Sequence, residues 1–87
     1  MKTRKLPRGL DTAAKAKCEE LGVTIKETKQ AEYMRGETVV IDNLITVNLP
    51  DGTSLTVSAD DKDHVAKIER TVERINSDIM QGKRTRA

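Results

Sequence analysis

Between residues 64 and 80 the chain reads HVAKIERTVERINSDIM, with Val65, Ile68, Val72, Ile75 and Ile79 spaced three, four, three and four apart. That period predicts an amphipathic helix carrying one β-branched stripe. The spacing also fits a coiled-coil seam, with Val65, Val72 and Ile79 at a and Ile68 and Ile75 at d, but it lasts little more than two heptads. The flanking e and g positions are His64, Glu69, Thr71, Asn76 and Asp78, which carry no complementary charge pattern beyond one pair, and β-branched residues at d disfavour a parallel two-stranded coil. A lid over a sheet is the better expectation.

The sheet face that needs such a lid lies just upstream. In ITVNLPDGTSLTV, residues 45 to 57, Pro50 and Asp51 suit the central positions of a type I turn, and Gly52 suits the left-handed residue that follows. A three-residue hairpin loop with a G1 bulge sets the register: Leu49 faces Thr53, Val47 faces Leu55 and Ile45 faces Val57 on one side, with Asn48–Ser54 and Thr46–Thr56 on the other. ETVVIDNL, residues 37 to 44, continues the odd-numbered face through Val39 and Ile41. Asn43 interrupts it, so either one long bent strand or two strands fit. Val40 and Leu44 fall on the opposite parity and form a candidate contact site on the outer face unless a bulge at Asp42 or Asn43 turns one inward.

Further upstream the patterns weaken. Leu10, Ala13, Ala14, Cys18 and Leu21 recur at helical spacing, Asp11 or Thr12 can begin the helix, and Gly22 sits where a left-handed end residue belongs. Val23 and Ile25 alternate with polar neighbours, predicting a strand over 23 to 29 that frays into polar sequence. Residues 30 to 37, QAEYMRGE, have no period and read as a connection with room for one helical turn. Residues 16 to 33 resemble a helix-turn-helix around Leu21-Gly22-Val23, but Thr28 and Glu32 give its second helix no apolar ridge and Val23-Thr24-Ile25 alternates like a strand. Ser58, Asp60 and Asp61 suit the start of the last helix, Asp63 and Lys67 suit an i, i+4 pair, and Gly82 ends the helix.

The expected architecture is therefore a small α+β domain in the order α-β-β-β-α. An antiparallel sheet of three or four strands carries an N-terminal and a C-terminal helix on one face. Residues 1–9 form a flexible basic arm, 10–81 the single domain and 82–87 a flexible basic tail. Composition makes the core economical: 87 residues include no Phe or Trp, and Tyr33 is the single aromatic. Aliphatic side chains must supply nearly all the burial, and a second copy would help a chain of this size, so a homodimer is expected.

Charge is uneven along the chain. The net charge is +2, yet Lys2, Arg4, Lys5, Arg8, Lys83, Arg84 and Arg86 lie in the two ends, leaving nine basic and fourteen acidic residues between 10 and 82. Those seven cations are the candidate nucleic-acid contacts, gripping phosphates without regard to sequence. The acidic middle argues against a duplex on the folded face, and the lack of aromatics removes a stacking platform for single strands. A single cysteine rules out an internal disulfide framework and suits a reducing compartment, and no run approaches the ~18 apolar residues of a membrane span, so a cytoplasmic protein without membrane contact is expected.

Catalytic and ligand-binding signatures are sparse. Asp60, Asp61, Asp63 and His64 lack the spacing of a calcium loop and read as an acidic helix start, so no metal is expected. Cys18 reads as a small buried hydrophobe, since the lone His64 is distant in sequence. With no Gly-rich phosphate loop and no catalytic pair, neither enzyme activity nor a cofactor is expected. Tyr33, Met34 and Arg35 combine three residue types enriched at interface centres, and with Val40 and Leu44 they form the expected protein interface. The expected function is regulation, adaptation or inhibition of a larger protein assembly, in the manner of small phage or accessory regulators; nucleic-acid contact through the tails is the alternative.

Overall fold

The computed structural model describes residues 2–87, so the part of the expected N-terminal arm at Met1 lies outside the described residues. Four strands and two helices follow in the order β1 (Lys2–Arg4), α1 (Thr12–Leu21), β2 (Thr24–Arg35), β3 (Thr38–Asn48), β4 (Ser54–Ser58) and α2 (His64–Met80). The strands form one antiparallel sheet in the spatial order β1-β2-β3-β4, and both helices cover the same face. The fold is α+β with a four-stranded sheet.

The β3–β4 hairpin has the expected register, with Val47 opposite Leu55, Ile45 opposite Val57, Thr46 opposite Thr56 and Asn48 opposite Ser54. Its loop closes as the turn chemistry demands: the Leu49 N–H donates to the Thr53 carbonyl at 2.8 Å, and Gly52 adopts φ 89°. The α2 stripe lies on this hairpin's oily face. Ile68 and Val72 are fully buried and Ile75 nearly so, packed with Ile45, Val47, Leu49 and Val57, while Ala14 and Cys18 bring α1 into the same core. Small residues at 14 and 18 let α1 lie close against α2, and Lys17 Nζ on α1 ties them with a 2.7 Å ion pair to Glu69 on α2. Gly22 ends α1 at φ 76°, where the Val23 N–H reaches the Cys18 carbonyl, and Gly82 ends α2 at φ 75°, where the Lys83 N–H reaches the Asp78 carbonyl.

Several expectations change. Residues 30 to 37 are not a connection with a helical turn, because β2 runs on to Arg35 and pairs residue by residue with β3, which is a single unbroken strand. The polar run KETKQAE has little strand preference of its own, but its backbone is held by TVVIDNLITV opposite. Gly22 leads directly into the strand β2 and not into a second helix, so the helix-turn-helix resemblance fails. The β-bulge falls in β2 between Ile25 and Glu27, leaving Lys26 unpaired, and not at Asp42 or Asn43.

The basic ends, expected to be flexible, make contacts. Residues 2–4 form the edge strand β1, with Arg4 bonded to Glu32. The C-terminal segment folds back over the β3–β4 loop, where Arg84 bridges Asp51 at 2.7 Å and Asp78 at 3.1 Å and the Ala87 N–H donates to the Pro50 carbonyl. At the start of α2, Lys67 pairs with Asp61 instead of Asp63, and the same Asp61 carboxylate accepts the Asp63 N–H.

Candidate functional site: the hairpin arm

The helices cover only part of the sheet. Going along β3 from its C-terminal end, Val47 and Ile45 are buried beneath α1 and α2, Asn43 marks the edge of the covered region, and Ile41 and Val39 are 49% and 52% exposed. Beyond Asn43 the β2–β3 hairpin continues past the helices for five residue pairs, or roughly 17 Å at ~3.3 Å per residue, flanked only near its root by β1 on the β2 side. The overall extents, 48 × 26 × 20 Å, reflect this projection. The arm ends in a two-residue turn at Gly36-Glu37, where Gly36 takes φ 64° and Glu37 does not, as a II′ hairpin turn requires.

A polar clasp fixes the root of the arm. Asn43, 9% exposed, donates from Nδ2 to both carboxylate oxygens of Asp60 at 3.0 and 3.1 Å and accepts from Gln30 Nε2 at 2.8 Å. Its carbonyl accepts the Ala59 N–H at 2.7 Å. The residue whose polarity interrupts the oily face in the sequence thus marks where the core ends.

Alternation divides the arm into two chemically different faces. On the helix side lie Met34, Val39 and Ile41, with Met34 61% exposed, bordered by Glu32, Lys2 and Arg4. The outer side carries Lys29, Ala31, Tyr33 and Arg35 from β2 beside Val40, Asp42 and Leu44 from β3. There the Tyr33 hydroxyl donates to Asp42 Oδ2 at 2.8 Å, and this bond to a carboxylate is the main reason its phenol pKa lies above the usual value. Ala31 is buried beneath this face, opposite Thr3 of β1.

The residues expected at the interface are therefore brought to one arm but not to one face. Tyr33, Arg35, Val40 and Leu44 share the outer side, Val40 pairing directly with Tyr33, whereas Met34 points the other way. Parity puts Val39 and Ile41 on the continuous oily face, and they do join it geometrically, but no helix reaches them. Helix lengths hold the signal for this: α1 has 10 residues and α2 has 17, about 15 and 25 Å, against a 12-residue β2 of about 40 Å.

Elsewhere the groups considered for chemistry are engaged structurally. Cys18 is buried, and loss of hydration pushes its thiol pKa up, away from a reactive thiolate. Among the described residues no three His, Cys, Asp or Glu side chains gather as a metal site. His64 Nδ1 lies 2.6 Å from the Asp61 carbonyl, Asp60 holds Asn43 and Asp61 holds Lys67, so the acidic cluster is divided among three separate contacts. Of the seven terminal cations, Arg4 and Arg84 are ion-paired and Arg86 Nη2 donates to Asn76. No helix among the described residues is long and apolar enough to cross a membrane. Comparison with protein-family models, with curated proteins and with solved structures finds no match to this chain.

Proposed function

We propose that this chain is a non-catalytic binding protein that docks onto a larger protein assembly, as a regulator, adaptor or inhibitor, through the β2–β3 arm. The observation that carries this reading is the arm's helix-side face, where Met34, Val39 and Ile41 are each about half exposed or more and lie side by side inside a charged border. Grouped exposed aliphatics with a polar rim are how protein interfaces are built, and a small domain gains no stability by leaving them uncovered. Tyr33 and Arg35 on the other face, at the same end, offer a second set of anchoring side chains for a partner that grips the arm from both sides. The setting is the cytoplasm.

The test is a nuclease-treated pull-down from host lysate with the full chain and with Met34→Lys and Ile41→Lys. A stoichiometric protein held by the parent chain and lost by both variants supports the reading. Retention of every partner by both variants refutes it. The alternative, nucleic-acid contact through the basic ends, draws on Lys2, Lys5, Arg8 and Lys83, which lie in these segments without an ion pair among the described residues. It predicts duplex binding at low salt that falls steeply as salt rises, and no binding at low salt removes it.

A further inference from the structure

We infer that two copies of this chain join edge to edge through residues 38–42 of β3, making one continuous eight-stranded sheet. The inference rests on the arm reading only in using the same hairpin, and it identifies the first occupant of that hairpin's open edge as a second copy.

β4 pairs with β3 only from Leu44 to Asn48, so the stretch of β3 that forms the arm has β2 on one side and no strand on the other. The direction of its free backbone groups follows from Asn43, whose carbonyl accepts the Ala59 N–H on the β4 side. In an antiparallel strand each residue's N–H and C=O point to the same side and the sides alternate. The register runs without a bulge from Ile45 to Thr38, so Ile41 and Val39 turn both backbone groups toward the open edge.

That edge is self-complementary. A two-fold axis through Val40 places Val39 of one copy opposite Ile41 of the other, twice, and these are the residues with outward N–H and C=O groups, giving four backbone hydrogen bonds. Val40 meets its own copy as the central pair. On the helix side the two apolar sets merge into one platform of Met34, Val39 and Ile41 from each chain. On the outer side Thr38 lies opposite Asp42 of the other copy, so Arg35, which pairs with Thr38 within its own chain and makes no ion pair among the described residues, comes within reach of that carboxylate. Charge is complementary at both symmetry-related ends. Glu37 then falls beside the second copy's Asp60, which limits the overlap to these five residues.

The edge also lacks the usual protections. Natural edge strands avoid association by being short, by carrying lysine or proline, or by bulging. β1, at the far side of the sheet, is three residues long and presents Lys2 and Arg4, whereas the 38–42 stretch TVVID has no lysine, proline or bulge. The overlap is at the small end of specific interfaces, below about 1,200 Å² in total, so a dimer that dissociates in the micromolar range is expected.

Sedimentation velocity of the full chain across concentration, with Val39→Lys and Ile41→Pro, tests the inference. Proline at 41 removes an N–H that points to the open edge and leaves the β2 ladder intact, and lysine at 39 leaves the backbone unchanged. Each variant is checked for folding by circular dichroism. A monomer–dimer equilibrium weakened by about tenfold or more in the folded variants is the expected result. Val40→Cys gives the register: mild oxidation should link it into a covalent dimer, because the central pair brings the Cα atoms to about 4.5–5.5 Å. Thr38→Cys, opposite residue 42, and the parent chain with its buried Cys18 should not link. A parent chain that stays monomeric at about 1 mM, a dimer indifferent to both edge variants, or assemblies growing beyond two would each overturn it. Loss of a pulled-down partner in Met34→Lys alongside a strictly monomeric parent would leave the docking function standing and remove the dimer, and the reverse pattern would do the opposite.

Discussion

Ile68 and Ile41 are the same side chain in opposite settings, and truncating each to alanine tests whether the α2 stripe is core or seam. Ile68 has no exposed surface and touches both helices' core and the β3–β4 face, while Ile41 is 49% exposed on the arm. Removing three carbons at about 0.8 kcal/mol each gives about 2.4 kcal/mol of lost transfer energy at position 68, and the unfilled cavity raises this to about 3–4 kcal/mol. At position 41 only about half of the transfer energy is at stake and no cavity forms, so about 1 kcal/mol is expected. The total stability available to 87 residues is about 4–13 kcal/mol, so Ile68→Ala consumes a large share of it. In urea, with a slope of about 1 kcal/mol per M, the Ile68→Ala midpoint should fall by about 3 M and that of Ile41→Ala by about 1 M or less. Far-ultraviolet circular dichroism at two protein concentrations tenfold apart, both well below the dimer's dissociation range, is the assay. If Ile68→Ala loses no more than Ile41→Ala, or if its loss appears only on dilution, the stripe is an interchain seam and the reasoning fails.

Three further outcomes follow from local geometry. Asp51 is held down to a pKa of about 2 by the Thr53 hydroxyl first and the Arg84 guanidinium second, below an ordinary value of 3.8; its folded pKa is the lower one, so its contribution to stability is whole above pH ~4 and is lost as pH falls toward 2. Arg84→Met should move the Asp51 carboxyl midpoint, followed by NMR, up toward 3.8 while Thr53 keeps it from arriving. Asp42→Asn should bring the phenol of Tyr33 back toward 10.0, read directly by ultraviolet titration because the chain has no other aromatic; an unchanged midpoint would mean that the carboxylate does not hold the hydroxyl. Gly52→Ala should cost about 1–2 kcal/mol, since φ is 89° there and a Cβ would stand 3.0 Å from the Cβ of Ala87; deleting Ala87 should recover only the steric part, and full recovery would refute the backbone argument.

The sheet hairpin and the lid were legible because two independent signals met there. Pro50-Asp51-Gly52 fixed a loop and therefore a register, and the β-branched stripe on α2 matched the face that register defined. The arm was half legible. Val40 and Leu44 were placed on the outer face by parity alone, but the polar run from Lys26 to Glu32 has no side-chain period, and its strand state depends on a partner strand far along the chain. Val39 and Ile41 look like core residues in sequence because parity says which face a side chain joins and not how far a helix extends over that face. The tail contacts were hidden for a related reason: Arg84 meets Asp51 across 33 residues, and nothing local distinguishes that arginine from a solvated one.

The unpaired Lys26 has consequences far from its own position. Ile25 and Thr28 both face the helices although they are three positions apart, because the extra residue reverses the parity of everything that follows in β2. Without the bulge, simple alternation from Ile25 through Lys26 would exchange the two sides of the arm's β2 half, putting Tyr33 and Arg35 beside Val39 and Ile41 and sending Met34 to the opposite side. Deleting Lys26, by contrast, would remove the bulge and keep the observed sides, with Ile25, Glu27 and Thr28 alternating in, out, in. One residue's worth of backbone at Lys26 thus decides which chemistry each side of the arm presents to a partner, although neither Lys26 nor its neighbours lie in the arm itself.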